Sequence, residues 1–161
     1  MVVNETARGR VEGIHTSPGG VPKQDIPSAH VLFDRIEGDD HNNKDGHGGP
    51  DRAVCVFASE LIEALRAEGH PIFPGSTGEN LTVSGLKWDD IVPGTELQIG
   101  AVRLEVTRYT TPCKTIRESF KEGYFNRISQ KLYPGWSRVY TRVLNPGEIR
   151  VGDEIVAKPH G

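Results

Sequence analysis

Residues 97–114 carry the clearest alternation in the chain. Val102, Leu104 and Val106 are interleaved with Arg103, Glu105 and Thr107, the period of two that marks a half-buried strand. Leu97 and Ile99 lie just upstream, and Gly100-Ala101 between the two runs predicts a hairpin with a two-residue loop. The strand runs out into Thr110-Thr111-Pro112-Cys113-Lys114. Pro112 has no N–H to donate and biases Thr111 towards an extended conformation, so regular pairing is expected to stop there. Cys113 is thereby expected where a rigid strand releases its chain into a loop.

The remaining pattern predicts short elements separated by glycine and proline. Arg8–Thr16 reads as a first strand with Val11 and Ile14 its only strong apolar residues, broken by Ser17-Pro-Gly-Gly20. His30–Phe33 reads as a second strand. Glu37 to Asp51 contains no large apolar side chain, which predicts a flexible excursion or a functional loop. Ala53-Val-Cys-Val-Phe57 is apolar on both faces, so Cys55 is assigned to the core. Ser59 is in position to cap a short helix with Glu60 and Glu63 early in it and Leu61, Ile62 and Leu65 on one face; Gly69 and Pro71 stop it. Pro74–Val83 is a glycine-punctuated loop entering another strand. A helical segment is expected over 116–131, interrupted at Gly123, and Val139–Leu144 and Glu154–Ala157 complete the strands. Ile91–Leu97 and Ile149–Ile155 share Ile-x-x-Gly-x-Glu-apolar, read as one turn chemistry used twice to feed a strand, as in small barrels.

Composition narrows the class. The 161 residues are expected to form one domain, 1–161, with a real core. With 19 glycines, 11 prolines and 25% charged residues, the expectation is a mainly β (α+β) protein of short strands and many turns. A net charge of -3 argues against a general nucleic-acid binder. No apolar run reaches membrane length and the N-terminus has no signal-peptide pattern. The two cysteines sit in dissimilar settings and make no disulfide framework, so a reduced, cytoplasmic protein is expected.

Candidate chemistry centres on Cys113, for which two readings stay open. Lys114 and Arg117 would favour a thiolate able to attack electrophiles or bind a soft metal; alternatively the residue is a small buried hydrophobe. Asp39, His41, Asp45, His47 and Asp51 invite a divalent-metal reading. The EF-hand register fails, because placing Gly46 sixth puts His41 first and Arg52 twelfth. Zinc spacings are absent too, and a solvated loop is the favoured reading. Pro74–Gly78 lacks the Walker lysine and leads into a strand, and no Gly-x-Ser-x-Gly elbow exists. A Cys-His-Asn hydrolase drawing on Cys113 and Asn80 would rest on residue type alone. Lys23, Arg52, Lys114, Arg117, Arg127 and Arg138 lie in or beside loops. Together they suit phosphate or carboxylate groups; each taken singly reads as a solvated surface charge.

Several of these features fall in an order that resembles the MOSC domain, the module found at the C-terminus of molybdenum cofactor sulfurases and as small bacterial proteins. They are Gly20-Val-Pro-Lys23, Gly38-Asp-x-His41, Gly48-Gly-x-x-Arg-Ala-Val54, Pro74-Gly-x-x-Gly-Glu-Asn-Leu-Thr-Val83, Pro112-Cys113, Gly135-Trp136 and Gly147-x-Ile-x-x-Gly-Asp153. The Gly-Glu-Asn-Leu block followed by a distant Pro-Cys is the most specific pairing. The resemblance implies a β-barrel with a few short helices and a cysteine at the mouth of a cleft. It implies that Cys113 coordinates molybdenum or carries sulfur, and that Lys23, Arg52, Glu79 and Asn80 line the pocket of the molybdenum cofactor (molybdopterin). Lys114 and Arg117 join that pocket as neighbours of Cys113. The 161 residues contain no aminotransferase-like segment for a pyridoxal phosphate route to sulfur and no ferredoxin-like cysteine cluster. Electrons or sulfur are therefore expected from a partner reductase or a sulfur-donor protein. The leading expectation is a molybdenum-cofactor-binding protein, either a reductase of N-hydroxylated compounds or a sulfur carrier. The competing ones are a non-catalytic small-anion or metal-binding module with a structural Cys113, and a cysteine hydrolase or divalent-metal protein using the 39–51 loop.

Overall fold

A computed structural model describes residues 6–40 and 49–159. The strands are β1 (Ala7–Thr16), β2 (Gln24–Ile26), β3 (Ser28–Val31), β4 (Val54–Ala58), β5 (Leu81–Ser84), β6 (Glu96–Ile99), β7 (Val102–Tyr109), β8 (Val139–Asn145), β9 (Gly147–Arg150) and β10 (Glu154–Lys158), with a helix α1 (Ser59–Ala67) after β4. Seven of them pair in the ring β1-β5-β4-β8-β7-β6-β10 and back to β1, a closed barrel. All pairs in the ring are antiparallel except β4 with β5. Closure removes the exposed strand edges that so short a set of strands would otherwise present. β2 extends β1, and β3 and β9 form a separate ribbon.

The alternation on β7 is realised as expected: Val102, Leu104 and Val106 are buried, while Arg103 faces solvent. Ile99 pairs with Val102 across Gly100-Ala101, and Gly100 adopts a φ of 59°, the left-handed backbone such a turn needs. Val11 and Ile14 of β1 are fully buried, and Phe57 meets Trp88 edge-on at 6.4 Å. The two repeated turns lead into β6 and β10, which lie side by side.

Four expectations need correction. Ser59 is the first helical residue and not its cap; Ala58, still in the buried strand, holds that position without a side-chain hydrogen bond. The segment 116–131 forms three 3-10 turns, Lys114–Ser119, Lys121–Gly123 and Phe125–Ile128, instead of a helix. Glu122 and Gly123 both take positive φ there, which breaks any continuous ladder. The second strand begins at Ser28 and ends at Val31, leaving Phe33 63% exposed. β2 and β9 are additional strands, too short and too polar to show an alternation. Among the described residues no helix is long and apolar enough to cross a membrane.

Candidate functional site

The end of β7 and the start of β8 meet just before Cys113 in the chain. β7 continues past Tyr109: the Thr110 N–H donates to the Arg138 carbonyl at 3.0 Å, and the Ser137 hydroxyl donates to the Thr110 carbonyl at 3.2 Å. These bonds hold the β7 exit against the start of β8. Pro112 is buried and pairing ends, as expected. Cys113 is extended (φ -142°, ψ 175°) and half-buried, with Sγ 2.9 Å from Thr115 Oγ1. Lys114 and Arg117 follow on the exposed first 3-10 turn, where Arg117 Nη1 donates to the Lys114 carbonyl at 3.2 Å.

More deeply buried is a polar floor. Cys55 of β4 pairs with Tyr140 of β8, so the two side chains share a face. Cys55 is buried, as expected, but it stands outside the apolar cluster that contains Val54, Val56 and Phe57. Its Sγ lies 3.7 Å from Thr110 Oγ1. Burial pushes the Cys55 thiol up; the nearby Arg138 charge opposes this without reversing it. Tyr140 is 9% exposed and its phenol is pushed up to about 12, mainly by burial and then by Cys55, against the pull of Arg138 and Arg52. Cys113 acts on it as well, so Tyr140 is within electrostatic reach of both cysteines and both arginines. The Arg52 guanidinium sits 5.9 Å from the Tyr140 ring centroid. Arg138 is 5% exposed, donates Nη1 to the Thr77 carbonyl, and has no partner for Nε. A buried donor left unmet costs about 1–3 kcal/mol.

Lys23, Glu79 and Asn80 form the wall beside this floor. Lys23 Nζ donates to Asp39 Oδ1 at 2.6 Å, and both residues are buried. Asp39 also accepts from the Ser17 N–H at 2.9 Å and from Asn80 Nδ2 at 3.0 Å. Asn80 Oδ1 accepts the Cys55 N–H at 2.9 Å, and its Nδ2 reaches the His15 carbonyl at 3.2 Å. Glu79 accepts from the Gly75 N–H, Thr77 Oγ1 and Thr82 Oγ1. The Gly-Glu-Asn-Leu motif thus spends its polar atoms on protein partners that fix β4, β5 and the loop before them.

The other candidates are not gathered here. Asp39 is tied to Lys23, and exposed Asp51 lies 3.5 Å from Arg142. His41, Asp45 and His47, and with them most of the 39–51 loop, lie outside the described residues, within which no cluster of acidic, histidine or cysteine groups could hold a metal ion. His15 bridges Asp25 and Thr82, and His70 lies by Glu68 and the Lys121 N–H. No described histidine reaches Cys113, so the hydrolase pairing gains nothing. Arg127 serves a separate cluster, bound to Glu68 through two nitrogens. Cavities of about 220 and 330 Å³ flank Asp89 and Gly135, and Cys113 lines neither.

Thr110, Tyr140 and the specific place of Arg138 were not anticipated as site residues. A signal existed: Arg138 and Tyr140 are two apart at the start of a strand, which puts both polar groups on one side of it.

The MOSC domain model matches residues 43–156 of the chain. The uncharacterized protein YflK of Bacillus subtilis is 30% identical over 135 residues, 83% of this chain and 60% of YflK. A protein of Gibberella moniliformis named "Reductase" is 32% identical over 126 residues, 74% of this chain but 22% of that protein. The chain therefore spans well under two thirds of these relatives. The crystal structure of YuaD from Bacillus subtilis shares the fold, with a TM-score of 0.77 at 18% identity over 99% of this chain and all of that one. The MOSC family is associated with molybdenum-cofactor binding. With the barrel, the Pro-Cys exit and the Gly-Glu-Asn-Leu wall all in place, the chain belongs to the MOSC domain family.

Proposed function

We propose that this chain binds the molybdenum cofactor with Cys113 as the thiol that ligates the metal or carries sulfur. The observation behind this is one accessible thiol beside a buried polar floor. Cys113 is half-buried, whereas Cys55 is enclosed and held protonated. A thiolate is the ligand form a soft metal takes. Thr115 Oγ1, at 2.9 Å, is placed to donate to that sulfur. Arg52, Lys114 and Arg117 supply cations around it, suited to an anionic cofactor. Lys23, Glu79 and Asn80 brace the wall, since their polar atoms already meet protein partners.

When bound, the cofactor would supply two-electron and oxygen-atom or sulfur chemistry. The reaction class proposed is reduction of N-hydroxylated compounds, with electrons from a partner reductase, and the name of the Gibberella relative points the same way. Tyr140, its phenol pushed up to about 12, can hold a proton beside the site at neutral pH.

The test is molybdenum content after production alongside the cofactor-synthesis machinery. The wild-type protein and Cys55→Ser are expected to retain molybdenum, and Cys113→Ser to lose most of it. Equal retention by Cys113→Ser and wild type would remove Cys113 as the ligand.

A further inference from the structure

Arg138 has a feature that cofactor ligation through Cys113 does not use. Arg138 is only 5% exposed. One nitrogen donates to the Thr77 carbonyl, and Nε meets nothing. No described carboxylate forms an ion pair with it. Cys55 and Tyr140 are the acidic groups on this floor. Both are held neutral there, so neither supplies the missing negative charge. Glu79, the carboxylate of the adjoining loop, already accepts from the Gly75 N–H and two threonine hydroxyls. An arginine cannot discharge itself by losing its proton. The protein thus keeps a permanent buried cation with an unused donor next to Cys55 and Tyr140, an arrangement that burial disfavours unless an anion completes it.

We infer that Arg138 receives an anionic oxygen of the cleft's ligand, through Nε, at the polar floor it shares with Thr110, Cys55 and Tyr140. The ligand class is a compact oxyanion: a phosphate ester or a metal-bound oxo group presents the same charged oxygen. Arg52, Lys114 and Arg117 then act as outer cations that attract the anion, and Arg138 as the inner one that fixes it. This rests on the cleft being a ligand site, but not on which metal it takes.

The experiment is a thermal-shift and calorimetric titration of the full chain, without cofactor, at constant ionic strength. Phosphate and molybdate are the probes and chloride the control. Saturable stabilisation by at least one oxyanion is expected in wild type. A response to phosphate alone assigns the ester end of the ligand, and a response to molybdate alone assigns the oxo group. Arg138→Gln is expected to weaken that binding about 10- to 100-fold, the scale of a lost charged hydrogen bond. Arg138→Lys should restore part of it, and Arg117→Gln should change it less than about threefold. Unchanged binding in folded Arg138→Gln would overturn the inference. Should that variant not fold, wild-type crystals soaked in tungstate decide. Anomalous density within hydrogen-bonding reach of Arg138 Nε supports the assignment, and density confined to Lys114 and Arg117 sinks it. The cofactor reading fails separately, if wild type produced alongside the cofactor-synthesis machinery retains no molybdenum, a result that leaves oxyanion binding at Arg138 untouched.

Discussion

Arg127 and Arg138 each leave one buried nitrogen without a hydrogen-bond partner. Around Arg127 the charge is nevertheless paired with a carboxylate. Glu68 accepts from Nε at 3.0 Å and from Nη2 at 2.8 Å, and the guanidinium lies 4.0 Å from the Trp136 ring and 4.7 Å from that of Tyr133. Glu68 is held below the usual carboxylate range, chiefly by the hydrogen bond from Arg127. Arg138 has a carbonyl, a thiol and a phenol for company. One unmet nitrogen is therefore a poor criterion for a site. A buried cation without a counter-ion is a better one, and in this molecule the two criteria separate a clamp from a receptor.

Lys23 is the extreme of the compensated kind, since its partner Asp39 is itself only 2% exposed. Replacing Lys23 by Met would strand that carboxylate among the Ser17 N–H and Asn80. A loss of about 3–5 kcal/mol is expected, the cost of breaking a buried pair from one side. Urea denaturation measures it; a loss below about 1 kcal/mol would mean that Asp39 is not the anchor of the wall.

Arg127→Leu comes next, with an expected loss of about 2–4 kcal/mol from two ring contacts, a forked hydrogen bond and lost packing. Most of this should come from the rings, because Glu68 is 43% exposed and its ion pair is screened. The variant should keep the oxyanion response of wild type. If it loses that response instead, the two arginines are not separate devices.

Tyr140 tests the claim that Arg138 lacks a counter-ion. Its phenol rises from 10.0 to about 12 in the folded chain. The native state therefore holds the proton longer, and the stability linked to it is fully present below pH 10 and is lost between about pH 10 and 12. Up to about 2–3 kcal/mol is involved, and Tyr140→Phe should flatten that alkaline fall. Ultraviolet titration of the tyrosinates, by difference from Tyr140→Phe, reads the same group directly. Ionisation of Tyr140 below pH 10 would give Arg138 a phenolate partner and dissolve the contrast.

How much of this was legible beforehand follows from what each residue does. The β7 alternation, the hairpin at Gly100, the buried β4 and the release of the chain at Pro112 were readable because local pattern and backbone chemistry decide them. The barrel came through the order of the family motifs and not through periodicity, since closure joins β1 to β10 across the length of the chain. The 3-10 run after Cys113 was misread as a helix because apolar spacing alone does not distinguish the two, and Arg127, Tyr133 and Trp136 hold it by contacts between residues six and nine apart. Cys113, Lys114 and Arg117 are neighbours along the chain, so their proximity was readable without the fold. Arg138 was visible only as one of six loop cations; its burial depends on β7, β8 and the Thr77 loop meeting, which no local pattern encodes.

The smallest expected effect falls on Arg138 itself. Arg138→Met deletes a charged hydrogen bond to the Thr77 carbonyl, worth about 1.5–3 kcal/mol. It also deletes a desolvated charge and the unmet Nε, which together cost the folded state a similar amount. Met retains most of the side-chain volume and adapts to an irregular space, so no large cavity opens. The opposing changes leave a net effect within about 1 kcal/mol in a buffer free of oxyanions. Added oxyanion should then separate the proteins, because wild type gains stability by binding and the variant does not. A loss of about 3 kcal/mol or more without any anion present would place Arg138 beside Arg127 as a structural clamp, and the distinction between the two regions would fall with it.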